Sequence, residues 1–296
     1  MAVRTPPPPL AQPGQRRARR WPVVLLVVAV VVGTGVWMWS DGVGPLPKRP
    51  QCTASVGGTV VDLSPEQAEN ATLISAVGVR RGLPARAVSI ALATAYQESK
   101  IRNLDHGDRD SLGVFQQRPS QGWGTAEQVR DVRYASNAFY DALAKVDGYQ
   151  TMRITEAAQK VQRSGFPEAY EPHAEDARAL ASALTGYSSD GAFTCVARTP
   201  SGGSVSAARS DLISAFGALG ISRTGPRSLA VPVGGGEQDQ RRGWAVAQYV
   251  VAHADSLGVA SVSFDGLGWS SGRDSEDGWV ERAAGPRRVD VRLTQG

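Results

Sequence analysis

Metal chemistry has little to work with in this chain. It holds two cysteines and three histidines in 296 residues, and His106, His173 and His253 are scattered rather than set at the short spacings of a zinc site. No metal site and no cofactor is expected. The glycines Gly234 to Gly236 lack the spacing of a phosphate cradle and read as a turn. An excess of charge of one sign is also missing from most of the chain. Arg4, Arg16, Arg17, Arg19 and Arg20 all precede the first acidic residue, Asp41. Removing these five from a net charge of +4 leaves the remainder at −1. With no positive field over the folded part, nucleic acid is not an expected partner.

Long apolar runs are absent except in one place. Residues 21–39, from Trp21 to Trp39, carry no charge, and about twenty such residues span a hydrocarbon core. Trp21, Trp37 and Trp39 lie at the ends of the run, where an amphipathic ring prefers the interface. The arginines precede the run, so the positive-inside rule keeps residues 1–20 in the cytoplasm and exports the rest. The expectation is a single-pass protein of the cell membrane with its C-terminal domains extracytoplasmic. A cleaved signal peptide is the alternative, but no small-x-small site follows Trp39 and the run is long for such a segment. One span without an intramembrane charge offers no internal pathway, which excludes a transporter. Pro6 to Pro9 belong to a solvated, extended tail.

Cys52 and Cys195 both fall on the exported side, where disulfides persist. A bridge between them would close a loop of over a hundred residues, with a loop-closure stabilisation of about 5 kcal/mol. Two unrelated thiols are the other reading.

Residues 40–51 read as a tether and 52–198 as a mostly helical domain. Ser64-Pro65-Glu66-Gln67 is a helix start with an N-cap, a first-turn proline and a capping box. Gly82-Leu83-Pro84 breaks that helix, and a second is expected from about Pro84 to Ser99, with Val88, Ala91, Leu92 and Ala95 at helical spacing. Residues 102–125 are rich in Asn, Asp, Gly and Pro and read as a long loop, a feature that is often functional. Helices are expected again at Thr125–Val129, Tyr134–Leu143, Thr155–Gln162 and Ala174–Leu184, with little strand periodicity among them. Residues 199–207 have the composition of a flexible linker. Residues 208–296 read as a small α/β domain, with helices at Ser210–Leu219 and Trp244–Leu257 and strands at Val259–Phe264 and Arg288–Leu293. Trp244, Trp269 and Trp279 are either a binding surface or core.

Glu98 is the candidate catalytic residue. It lies at the end of an apolar helix, on the flank of the buried face and just ahead of the polar loop. Burial there disfavours the carboxylate, and a carboxyl group that stays protonated can serve as a general acid. Asp105, Asp108 and Asp110 are the nearby candidates for a second carboxylate, each also readable as a turn residue.

Glu98-Ser99 followed by Gly113-Val114-Phe115-Gln116 resembles the paired motifs of soluble lytic transglycosylases and goose-type lysozymes. Asn137-Ala138-Phe139-Tyr140 is similar to a third helix motif of that lysozyme-like superfamily, and Tyr170 stands where such domains carry a cleft tyrosine. The resemblance covers about residues 60–190, and Val114 departs from the usual leucine. It implies an α-dominated lysozyme-like domain of the α+β superfamily acting on peptidoglycan glycan strands. In that scheme Glu98 protonates the glycosidic oxygen. Ser99, Gly113, Gln116, Trp123 and Tyr170 hold or contact substrate, Trp123 and Tyr170 by stacking on sugar faces. The product is either a hydrolysed or an anhydro-sugar end. The alternative is an inactive lysozyme-like module that binds wall glycan or scaffolds an envelope complex with a protein partner.

Overall fold

A computed structural model describes residues 48–162 and 168–295. The expected tail at 1–20, the expected membrane span at 21–39 and most of the tether lie outside the described residues. Among the described residues no helix is long and apolar enough to cross a membrane. Arg49–Gly296 form one compact unit of mixed α/β structure, with a helical central region and a C-terminal antiparallel sheet of six strands.

The unit opens with a hairpin, β1 (Gln51–Val56) and β2 (Thr59–Leu63). Gly57 and Gly58 sit between them at φ of 58° and 87°, the two left-handed positions that a tight hairpin turn demands. A third strand, β3 (Phe193–Val196), pairs antiparallel on the other side of β1. Cys52 and Cys195 face each other in this register and are joined by a disulfide spanning 143 residues of sequence. The expectation of little strand in residues 52–198 is corrected here. Small polar side chains such as Thr53 and Ser55 alternate with Cys52 and Ala54, a pattern with too little bulk to announce a strand.

Helix α1 (Pro65–Arg80) starts as its sequence indicates. The Ser64 hydroxyl accepts the Gln67 N–H, and the Gln67 side chain accepts the Ser64 N–H. Its many small residues let other helices approach on several sides. A Cβ on Gly78 would lie 2.7 Å from Val88. Around it pack α2 (Ala85–Ser99), α4 (Val132–Leu143), which follows the short α3 (Ala126–Arg130), and α6 (Ala174–Leu184). Helix α5 (Ile154–Gln162) lies against α2 and α4.

The C-terminal part supplies α7 (Val205–Phe216), α8 (Glu237–Ala252) and the short α9 (Ala254–Leu257). Its sheet runs in the order β4 (Ser222–Gly225), β5 (Ser228–Pro232), β9 (Arg288–Leu293), β6 (Val259–Phe264), β7 (Leu267–Ser270), β8 (Val280–Glu281). The strands β6 and β9 match their sequence reading. Helix α8 begins seven residues earlier than expected, because its first turns, Glu237 to Arg242, are polar and carry no periodic signal. Helix α7 starts within the stretch read as a linker, with Ser204 as its N-cap. The neighbouring Gly202 N–H donates to the Gln295 carbonyl at 3.2 Å.

Helices α7 and α8 pack directly on α1, and the tryptophans tie the sheet to β3. Trp269 donates its indole N–H to the Cys195 carbonyl (3.0 Å) and Trp279 to that of Phe193 (2.9 Å). Trp244 meets Trp279 and Phe264 edge to face. These rings are packing elements, the second of the two readings open from sequence. The disulfide and the indole bonds therefore hold the same short strand from two sides. Replacing Cys52 and Cys195 together by serine is expected to lower unfolding free energy in urea by about 2–5 kcal/mol.

Candidate functional site

Helix α2 ends in a way that places Glu98. Lys100 and Ile101 both take left-handed backbone, φ 55° and 58°, which for a β-branched residue costs about 1–3 kcal/mol. The Lys100 and Ile101 N–H groups close on the Tyr96 and Ala95 carbonyls. Helix α1 grips the turn from below: Gln67 donates to the Lys100 carbonyl at 2.8 Å and Asn70 to that of Ile101 at 2.9 Å. Burial of the Ile101 side chain in the core offsets the strain.

Ser99 is enclosed, 7% exposed. Its hydroxyl lies 2.7 Å from the Val114 carbonyl and 3.0 Å from that of Ala95, and accepts the Arg102 N–H. It joins the helix end to the turn Gly113–Gln116. That turn is closed by reciprocal bonds between Leu112 and Gln117, 3.0 Å each. Val114 and Phe115 plug the core, with Phe115 stacked on Phe139 at 4.7 Å. Gly113 (φ 78°) backs onto protein: a Cβ there would stand 2.1 Å from the Val129 carbonyl oxygen. Gln116 (φ 48°) donates to the carbonyls of His106 and Gly113 and lines the cleft.

The cleft has a volume of about 1150 Å³, with Glu98, Gln116, Trp123 and Gln162 in its lining. Within it the Glu98 Oε1 accepts two bonds, from the Tyr170 hydroxyl at 2.9 Å and from the Gln162 amide at 3.1 Å. The same Gln162 nitrogen donates to the Phe115 carbonyl at 2.9 Å. Two acceptors on one side fix which way this amide points. Burial pushes the Glu98 carboxyl above its ordinary value, while the donors Gln162 and Tyr170 pull it back. Burial is the larger effect, so the net displacement is upward, toward easier protonation. With Oε1 taken by two donors, Oε2 is the oxygen left to carry a proton.

Tyr170 is 1% exposed. Its ring has no free face for a sugar, and its role in this arrangement is to hold Glu98 through the hydroxyl. Trp123 is partly buried and does line the cleft. Gln162 carries a contact to Glu98 that the sequence reading did not single out. A signal was present: Ile154, Ala158, Val161 and Gln162 lie at i, i+4, i+7 and i+8, which puts a polar residue on the apolar face of α5.

The three loop aspartates separate clearly. Asp110 accepts from the Arg118 guanidinium (2.9 Å) and from the N–H and hydroxyl of Ser120, which hold its carboxyl far below the usual carboxylate range. It staples the loop. Asp105 is exposed and held low by a 2.8 Å bond from His106. Asp108 alone of the three lines the cleft, and its side chain is exposed. Asp141 also lines it, paired with Arg81 at 2.6 Å. No cluster of metal-ligating side chains occurs among the described residues.

No protein-family model matches this chain, and no curated protein matches it either. The chemistry must be read from the side chains themselves.

Tyr170→Phe removes a donor that favours the carboxylate. The Glu98 carboxyl is expected to titrate at higher pH in that variant, read by carbon-13 NMR of labelled glutamate. Gly113→Ala is expected to lower stability by about 2 kcal/mol or more, since both φ and the Val129 contact oppose a side chain. A urea midpoint measures it.

Proposed function

We propose that this chain cleaves the glycan strands of peptidoglycan on the outer side of the membrane, as a lytic transglycosylase or muramidase of lysozyme-like type, with Glu98 as general acid. One observation carries the reading: a carboxyl group whose pKa burial raises lines an open cleft, with two donors on one of its oxygens.

The chemistry follows from that arrangement. Neutral Glu98 gives the Oε2 proton to the glycosidic oxygen as the bond to the sugar breaks. The carboxylate that forms then carries its charge next to Tyr170 and Gln162, donors already oriented toward Oε1. Stabilising charge where it develops, with groups that need not reorganise, lowers the barrier. Ser99 and the turn Gly113–Gln116 act as supports that keep the carbonyl of Phe115, and through it Gln162, in place. Trp123 and Gln116 are the residues best sited to touch sugar.

A two-carboxylate hydrolysis needs a partner at about 5–9 Å, and Asp108 is the candidate on the cleft. Where the sugar's own group replaces that partner, the product is an anhydro-sugar. Residues 21–39 anchor the enzyme as a single membrane span, and the disulfide fits an oxidising, extracytoplasmic setting. A module that binds wall glycan or an envelope partner without cutting it is the second reading, and the departure of Val114 from the usual leucine leaves room for it.

The full chain and its Glu98→Gln variant should be incubated with purified peptidoglycan and the released muropeptides weighed by mass spectrometry. Release is expected to fall at least about a hundredfold in the variant, and equal release by both removes Glu98 from the mechanism. Glycan capture by the parent chain with no release supports the binding module. Anhydro ends that persist in Asp108→Asn identify the single-acid route. Glu98→Gln should not be less stable than the parent at pH 7. A carboxyl whose folded pKa is raised contributes stability at low pH that is lost as pH rises through that pKa, and an amide has no such loss.

A further inference from the structure

The six-stranded sheet ends at β4, whose one strand partner among the described residues is β5. Beside this hairpin and α7 lies a groove of about 790 Å³. Its floor is apolar, formed by Ile221 and the fully enclosed Leu229. Ser206, Arg209, Ser210 and Ile213 line it from α7 at i, i+3, i+4 and i+7, the face opposite the buried Ala208, Leu212 and Ala215. Ile213 is 40% exposed, an unusual level for an isoleucine facing a concave surface. Arg209 and Arg223 supply the charge, and no carboxylate is among the lining residues.

We propose that this groove takes an acidic segment of another protein in extended conformation, added to β4 as a further strand. An unpaired strand edge offers backbone donors and acceptors in register, and alternate side chains of an added strand drop toward the same face. Arg223 stands opposite Leu229 and two residues from Ile221, so arginine and apolar floor share one face, and the set of side chains dropping toward it presents carboxylates to Arg209 and Arg223 and apolar groups to the floor. The Arg223 guanidinium is already oriented, donating to the carbonyls of Gly225 and Pro226 at 2.9 and 3.0 Å. A second copy of this chain would bring the same arginines to the same edge and be repelled. A glycan would find no aromatic ring in the lining on which to stack. The proposal does not depend on the activity of the Glu98 cleft.

The test is fluorescence anisotropy of the full chain with a labelled octapeptide that repeats threonine-glutamate-threonine-valine, which places glutamate and valine on one face of an extended strand. Two controls accompany it: the same peptide N-methylated at alternate backbone nitrogens, and the same peptide with lysine in place of glutamate. Saturable binding of the acidic peptide alone is expected. The pair Arg209→Glu and Arg223→Glu should weaken it by about tenfold or more. Ile213→Glu, a change at an exposed position that leaves the hairpin bonds intact, should weaken it as well. Equal binding of either control, unchanged binding by these variants, or no saturable binding overturns the proposal. Arginine-dependent binding to phosphatidylglycerol vesicles without peptide binding also overturns it and assigns the arginines to a membrane surface.

Discussion

One carboxyl group held at the end of α2 organises the central region. Keeping Glu98 in place requires the helix to stop abruptly, and it stops through two left-handed residues that are not glycine. That strain persists because other elements over-determine the turn. Gln67 and Asn70 of α1 bind its carbonyls, Ile101 is buried, and Ser99 bonds to the Gly113–Gln116 turn. Tyr170 and Gln162 arrive from elements 72 and 64 residues away and meet the same carboxylate oxygen. Burial raises the cost of ionising the group while these donors lower it, and burial is the larger of the two.

The disulfide register explains how so long an excursion is closed. Between Cys52 and Cys195 the chain builds the whole cleft and then returns to lie beside the strand from which it left. The C-terminal sheet then uses β3 as a landing place. Trp269 and Trp279 bond to its carbonyls, and Ser275 bonds to both the N–H and the carbonyl of Ala197. The cleft and the β4 groove lie in one compact unit, so glycan chemistry and protein recognition, as proposed, would be exercised by a single body.

Much of this was legible from local chemistry. The Ser64 capping box, the end of α2 at Ser99 and the limits of β6 and β9 all follow from residue type and spacing, since each depends on neighbours within a few positions. The hairpin turns carry a local signal as well. Gly57-Gly58 and Asp265-Gly266 carry the positive φ pairs of tight turns, yet the flanking strands β1 and β2 are short and built from small or polar residues. The first turns of α8 hid for the opposite reason: they are solvated on all sides, so no apolar period marks them.

What the sequence alone determined is the place of Glu98 at a helix end, on the flank of a buried face, and the turn residues that follow it, because helix termination and burial are local consequences of composition and period. Only the tertiary structure decided how each polar group is used. Tyr170 turned out enclosed rather than open to a ligand, Gly113 faces the Val129 carbonyl, Asp110 is consumed by Arg118 and Ser120, and Gln162 emerged as a partner of Glu98. Those outcomes depend on which surfaces meet across tens of residues, and packing partners at that separation leave no periodic trace in the chain.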